Sequence, residues 1–138
     1  MEALSNLNEL IGFMEPVLLP EVFVFYTIPT ESTGNTPELM PVGTFREPEG
    51  LSLIVRRTEA DRAGWQYSET FKLIRLSVHS GLNAVGLTAA VSGCLAEKGI
   101  ACNMVASFHH DHVFVPEHQA EAALSSLQHL SKKYAPGA

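Results

Sequence analysis

Residues 70–80 read TFKLIRLSVHS, residues 81–100 continue GLNAVGLTAAVSGCLAEKGI, and residues 101–130 follow as ACNMVASFHHDHVFVPEHQAEAALSSLQHL. In the first piece Ile74, Leu76 and Val78 alternate with Arg75, Ser77 and His79, the period of a strand with one face in the core. Ser80 to Ala84 is short and flexible. Leu87, Ala90, Val91, Cys94 and Leu95 then recur at the spacing of an amphipathic helix. Asn83 stands where an N-cap is expected and Gly99 where the helix ends. A second alternating run carries Ile100, Cys102, Met104, Ala106 and Phe108 on one side. After a polar turn at His109-His110-Asp111, His112 to Val115 forms the return strand of a hairpin. Pro116 and Glu117 open a last helix with the stripe Ala120, Ala123, Leu124, Leu127 and Leu130. The order is strand, helix, strand, strand, helix.

Asn83-Ala84-Val85-Gly86 at the strand-to-helix turn, Leu95 to Ile100 at the helix-to-strand turn, and the strand Met104-Val105-Ala106 resemble an ACT domain, a βαββαβ module that binds amino acids and regulates their enzymes. Val78-His79-Ser80, Ala84 to Val91 and His110 to Pro116 resemble more closely the bacterial tandem ACT-like proteins of about this length, over nearly the whole chain. The resemblance implies an α+β fold of two ferredoxin-like units with antiparallel sheets and helices on one face, one spanning residues 1–66 and the other 67–138. The usual ACT turn reads Asp, any residue, Pro, Gly. Here Asn83 replaces the carboxylate and Val85 the proline. An internal echo supports two units: Leu53-Ile54-Val55 followed by Thr58 to Ala63 lines up with Val113-Phe114-Val115 followed by His118 to Ala123, about sixty residues on.

With 138 residues and 46% hydrophobic content the chain can bury a core as one ordinary domain or two small ones. A net charge of −6, with nine Lys and Arg of which only Arg56-Arg57 and Lys132-Lys133 are adjacent, argues against a nucleic-acid or anionic-membrane surface. The N-terminus has neither the basic region nor the apolar run of a secretory leader, and no stretch reaches a spanning helix, so a cytoplasmic protein is expected. Cys94 and Cys102 both fall on core-facing positions without a CxxC spacing and read as buried thiols.

Earlier in the chain, Ser5 or Asn6 can cap a helix with the stripe Leu7, Leu10, Ile11 and Met14, stopped by Pro16. Val22 to Ile28 is continuously apolar between Pro20 and Pro29 and predicts a strand covered on both sides or set in a dimer seam. It is the candidate to complete the second unit's sheet. Pro29 to Met40 has no periodicity and predicts an exposed loop, a candidate lid. Val42 to Arg46 and Leu51 to Val55 predict strands joined by a Glu47-Pro48-Glu49-Gly50 turn, and Thr58 a cap for a short helix.

Three places carry chemistry. At the Gly81 to Leu87 turn, a helix N-terminus offers unpaired backbone N–H groups to a carboxylate, and Gly86 leaves room for close approach. The resemblance makes an amino acid the expected ligand. Its carboxylate would meet the N–H groups around Ala84, Val85 and Gly86, beside Leu87, and its amino group Asn83 or Asn103. The second place is His109-His110-Asp111-His112, with His79 near. In an extended strand His110 and His112 point the same way, but two ligands do not make a catalytic zinc site. The third, nucleophilic or phosphoryl chemistry, has no GxSxG, GxxxxGK[ST] or GxGxxG to support it. The expectation is a non-catalytic amino-acid-binding regulatory module with no cofactor, no metal ligands, no nucleic-acid or membrane partner, and a homodimeric state favoured by the small helix face Ala89, Ser92, Gly93 and Ala96. The alternatives are an interaction module without a small ligand and a metal-dependent enzyme using His110 and His112.

Overall fold

Alternating and 3.6-residue apolar patterns become six strands and four helices in a computed structural model that describes residues 6–31 and 38–135. The strands are β1 (Pro16–Pro29), β2 (Gly43–Glu47), β3 (Gly50–Arg56), β4 (Phe71–Leu76), β5 (Asn103–Ala106) and β6 (Asp111–Pro116). The helices are α1 (Leu7–Gly12), α2 (Arg57–Arg62), α3 (Leu87–Glu97) and α4 (Ala120–Tyr134), the last entered through a 3-10 turn at Glu117–Gln119. This is the α+β architecture of antiparallel strands and packed helices. Ser5 and residues 32–37 of the expected lid lie outside the described residues.

The chain forms two compact units: the described residues up to Pro20 with those from Lys72 onward, and Glu21–Phe71. In the smaller unit the strand order is β2-β3-β1. Pairing runs from Phe23 opposite Arg56 to Pro29 opposite Gly50, and from Gly43 opposite Ile54 to Glu47 opposite Gly50. Gly50 is required, because a Cβ there would lie 2.1 Å from the Ile28 carbonyl oxygen. Val24, Ile28, Leu53, Val55 and Ala60 make the core, closed by Trp65 stacked on Tyr26 with ring centroids 4.1 Å apart. Two expectations change here. Pro20 does not bound the strand, since β1 begins at Pro16 and runs through it. Proline's fixed φ suits extended backbone, and the Pro20 carbonyl accepts a 2.9 Å bond from Lys72 Nζ. Thr58 does not cap α2: the helix starts at Arg57 from the extended Arg56, with no side-chain cap.

In the larger unit the order is β1-β4-β6-β5, so β1, whose first residues lie in this unit, is the neighbour of β4. The strand that contains Val22 to Ile28 is thus the one beside β4, as expected, while Phe23 to Ile28 pair with β3. α1 is capped by Asn6, whose Oδ1 accepts the Glu9 N–H at 3.1 Å. It sets Leu10, Ile11 and Met14 into a core with Ile74, Leu76, Val91, Leu95, Val113, Val115 and Leu127. The Met14 carbonyl then accepts the Ser77 N–H at 2.7 Å, tying the end of α1 to the end of β4. The echo reappears as burial: Leu53, Val55 and Ala60 match Val113, Val115 and Ala120, each buried where a strand passes straight into a helix.

Candidate functional site

β4 stops at Leu76, and its continuation is pinned by the Ser77 bond to Met14 and by buried Val78. Ser80 Oγ donates to Asp111 Oδ2 at 3.2 Å, joining this loop to the start of β6. Asp111 is only 6% exposed, and its carboxylate is held by that serine. A turn follows in which the Ala84 N–H donates to the Gly81 carbonyl at 2.9 Å, leaving Leu82 68% and Val85 83% exposed. Gly86, at φ 109°, turns the chain left-handed into α3, and the first N–H groups of the helix have no partner within it.

Asn83 is therefore not the N-cap: Gly86 holds that position, and no side chain caps α3. Gly99, with φ 71°, follows the C-cap Lys98 and ends the helix as expected. The room beside Gly86 is not open either. A Cβ there would lie 2.9 Å from Leu7 Cδ2, so α1 itself uses the space. Gly86→Ala is expected to cost about 1–2 kcal/mol for the left-handed conformation alone. Leu7→Ala in the same chain should recover only the crowding part, as urea denaturation of the three proteins would show.

Asn103 opens β5 opposite Phe114, while Ala106, at the other end of β5, lies opposite Asp111, the Ser80 partner. At 3.3 Å per residue Asn103 stands about 10 Å along the ladder from that end. The fold thus keeps Asn83 to Leu87 together and sets Asn103 apart from them.

The β5–β6 turn brings His79 near His109, as expected, and adds Phe108 to them. The Phe108 ring, 69% exposed, is 6.2 Å from His79 and 5.1 Å from His109, and His79 and His109 are 5.4 Å apart. Phe108 was expected on the core side, but β5 ends at Ala106 and the Ser107-His110 turn carries it out. That turn is closed by Ser107, whose N–H and Oγ both donate to the His110 carbonyl, at 3.0 and 2.7 Å. His110 belongs to the turn, at the residue just before β6, and only His112 to the strand. His112 Nδ1 lies 3.4 Å from the Val105 carbonyl, and His110 Nδ1 is buried with no hydrogen-bond partner. Among the described residues no group of three or more His, Cys, Asp or Glu is placed to hold a metal ion.

Burial pushes the His112 imidazole below its ordinary value of 6.5, against the opposing pull of the Val105 carbonyl. The folded state therefore holds it neutral, and the unfolded chain binds the proton first as pH falls. Its contribution is fully present above pH 6.5 and is lost as pH falls through the lower folded pKa. Urea midpoints at pH 7.5 and 5.0 should show a smaller acid loss for His112→Asn than for the parent. Burial also raises the thiols of Cys94 and Cys102 above their ordinary value, leaving both protonated at neutral pH.

A family model for the ACT domain matches residues 2–72, and a second ACT domain model matches residues 68–129. Among curated proteins the chain is similar to subunit 1 of the cytosolic arginine sensor for mTORC1. Identity is 25% over 128 residues with the Mus musculus protein and 24% over 121 residues with that of Rattus norvegicus. These matches take in 86% and 80% of this chain but only 39% and 37% of the relatives, so the chain spans about two fifths of their length. Among solved structures, a Vibrio cholerae protein of unknown function is 44% identical with a TM-score of 0.74, over 86% of this chain and 91% of that one. The regulatory subunit of aspartate kinase from Thermus thermophilus shares the fold at 12% identity, with a TM-score of 0.62 over 86% of this chain and 97% of that one. Matched by one ACT model across its first half and another across most of its second, the chain belongs to the ACT domain family.

Proposed function

We propose that this protein is a non-catalytic, cytoplasmic regulatory module that binds an amino acid at the Asn83 to Leu87 turn. One observation carries the reading: an 11-residue helix begins, without a side-chain cap, on an exposed strand-to-helix turn of an ACT domain. The ligand carboxylate would meet the N–H groups at the start of α3, where the helix dipole favours negative charge. Asn83, exposed and free of capping duty, is the side chain nearest in sequence for the amino group. The similar proteins, an arginine sensor and a regulatory subunit of aspartate kinase, support a sensing role in which the ligand alters a partner. The Vibrio neighbour supports a bacterial group, and the two successive ACT matches support tandem repeats, for which residues 1–66 and 67–138 are the proposed bounds. A thermal-shift screen of the common amino acids tests the reading.

A second reading, a module that docks a protein without any small ligand, is favoured by the exposure of Leu82, Val85 and Phe108. In that case no amino acid would move the melting midpoint.

The module is expected to act as a homodimer. Sedimentation equilibrium at micromolar concentration should give about twice the 15.0 kDa chain mass, and a mass of one chain would overturn the homodimer.

A further inference from the structure

Among the described residues Glu15 is the one non-glycine with a positive φ, 40°, and it stands directly before Pro16. A residue before proline is pushed toward extended backbone, and a left-handed one without the freedom of glycine is strained. Local preference and fold therefore disagree at Glu15. Strain of this kind persists only where the surrounding structure holds it. The link Phe13 to Glu15 joins α1 to β1, and the Ser77 N–H holds it by donating to the Met14 carbonyl at 2.7 Å.

α1 is six residues long, too short to be a stable helix alone, so its structure comes from the seat that receives it. Leu10, Ile11 and Met14 are buried there among Leu76, Val91, Leu95 and Leu127. The seat is closely shaped. At one end a Cβ on Gly12 would lie 2.4 Å from the Tyr134 carbonyl oxygen, and Ser131 Oγ donates to the Gly12 carbonyl at 3.1 Å. At the other end the missing side chain of Gly86 leaves the space that Leu7 fills. None of these contacts needs helix and seat to belong to one chain. Only the strained link ties them.

We infer that two copies of this chain exchange their first helices, α1 of each filling the seat of the other, with Glu15 as the hinge. In the exchanged form the link runs extended, the conformation that Pro16 favours for Glu15, and the left-handed residue disappears from both chains. The seat itself fixes the occupant, since every contact that α1 makes in its own chain is remade with the second copy's helix. Both hinges relax together, so a change in hinge strain counts twice in the dissociation constant of the dimer. Exchange is slow, because the helix must withdraw three buried side chains before it can enter another seat.

The inference gives the homodimer proposed above its contact and rests on it, and the test separates the two. Full-length parent, Glu15→Gly and Pro16→Ala are each refolded from urea, so that exchange reaches equilibrium, and compared by sedimentation equilibrium. Glycine accepts the left-handed backbone and alanine at 16 frees Glu15 from the proline, so both variants favour the helix in its own chain. Glu15→Gly should weaken the dimer roughly 30-fold or more, the square of the roughly fivefold that one left-handed residue costs, with the melting temperature unchanged or raised. Pro16→Ala should weaken it at least threefold. The diluted parent dimer should fall apart slowly, and faster in Leu10→Ala, which loosens the seat. A dimer that Glu15→Gly leaves within threefold of the parent would place the contact elsewhere and let the homodimer stand. A monomeric parent at hundreds of micromolar would remove both.

Discussion

One or a few amino acids should raise the melting temperature of this protein by roughly 5 to 10 °C when present at 100 times their dissociation constant. The ligand binds only the folded form and so stabilises it by about 2.7 kcal/mol. For a chain of this length each kcal/mol moves the midpoint by a few degrees. The discriminating variant is Val85→Asp. Val85 is 83% exposed, so its replacement should change the stability of the free protein by less than about 0.5 kcal/mol. Its new carboxylate, just before the start of α3, would occupy the field that the ligand carboxylate needs. The shift should vanish in Val85→Asp. In Asn83→Ala it should shrink, with no change in the free protein, since Asn83 caps nothing. A shift that survives Val85→Asp would move the site away from this turn. If no common amino acid moves the midpoint by a degree at millimolar concentration, the protein-docking reading replaces the sensing one.

Leu10→Ala should be the most damaging single truncation at the start of the chain, costing about 2–5 kcal/mol. Leu10 is fully buried, in the core that also holds Leu76, Leu95 and Leu127, and the surrounding helices cannot collapse into the space it leaves. Leu7→Ala, three residues earlier on a side chain 36% exposed, should cost less than about 1 kcal/mol. Hydrogen exchange separates the two ways in which the first helix could be organised. With α1 in the larger unit, Leu10→Ala should lower protection in β4 and α4, where Ser77 N–H bonds to Met14 and Ser131 Oγ to the Gly12 carbonyl. Lost protection confined to the β2–β3 hairpin would instead place α1 with the chain's own first half.

Periodicity made most of the second half legible. The alternation of Ile74, Leu76 and Val78, the stripe of Leu87, Val91 and Leu95, and that of Ala120, Ala123 and Leu127 each predicted buried positions that are buried in the structure. These patterns are read over a few residues, because a side chain's direction in a helix or strand depends only on its place in the repeat. The echo at a sixty-residue offset was legible for the same reason, since Val55 and Val115 each stand one residue before the end of a strand that turns at once into a helix. The resemblance carried by Ala84 to Val91 and by His110 to Pro116 led to the family that the two domain models match.

What the sequence by itself determined was the set of elements and which face of each is apolar. Which elements share a core was decided only by tertiary structure: a buried leucine in α1 satisfies the same hydrophobic requirement against either half, and nothing local says that it packs with β4 and α4. The site followed the same division. A strand-to-helix turn at residues 80–87 was readable, but the left-handed Gly86 that displaces Asn83 from the cap is a property of the closed fold. So is the Leu7 side chain that fills the space beside Gly86. The pairing of Ser80 with Asp111 and the approach of Phe108 to His79 were out of reach for the same physical reason. They join residues about thirty positions apart, whose meeting depends on β4 lying beside β6, and sheet neighbours are chosen by the packing of the whole unit rather than by any local pattern.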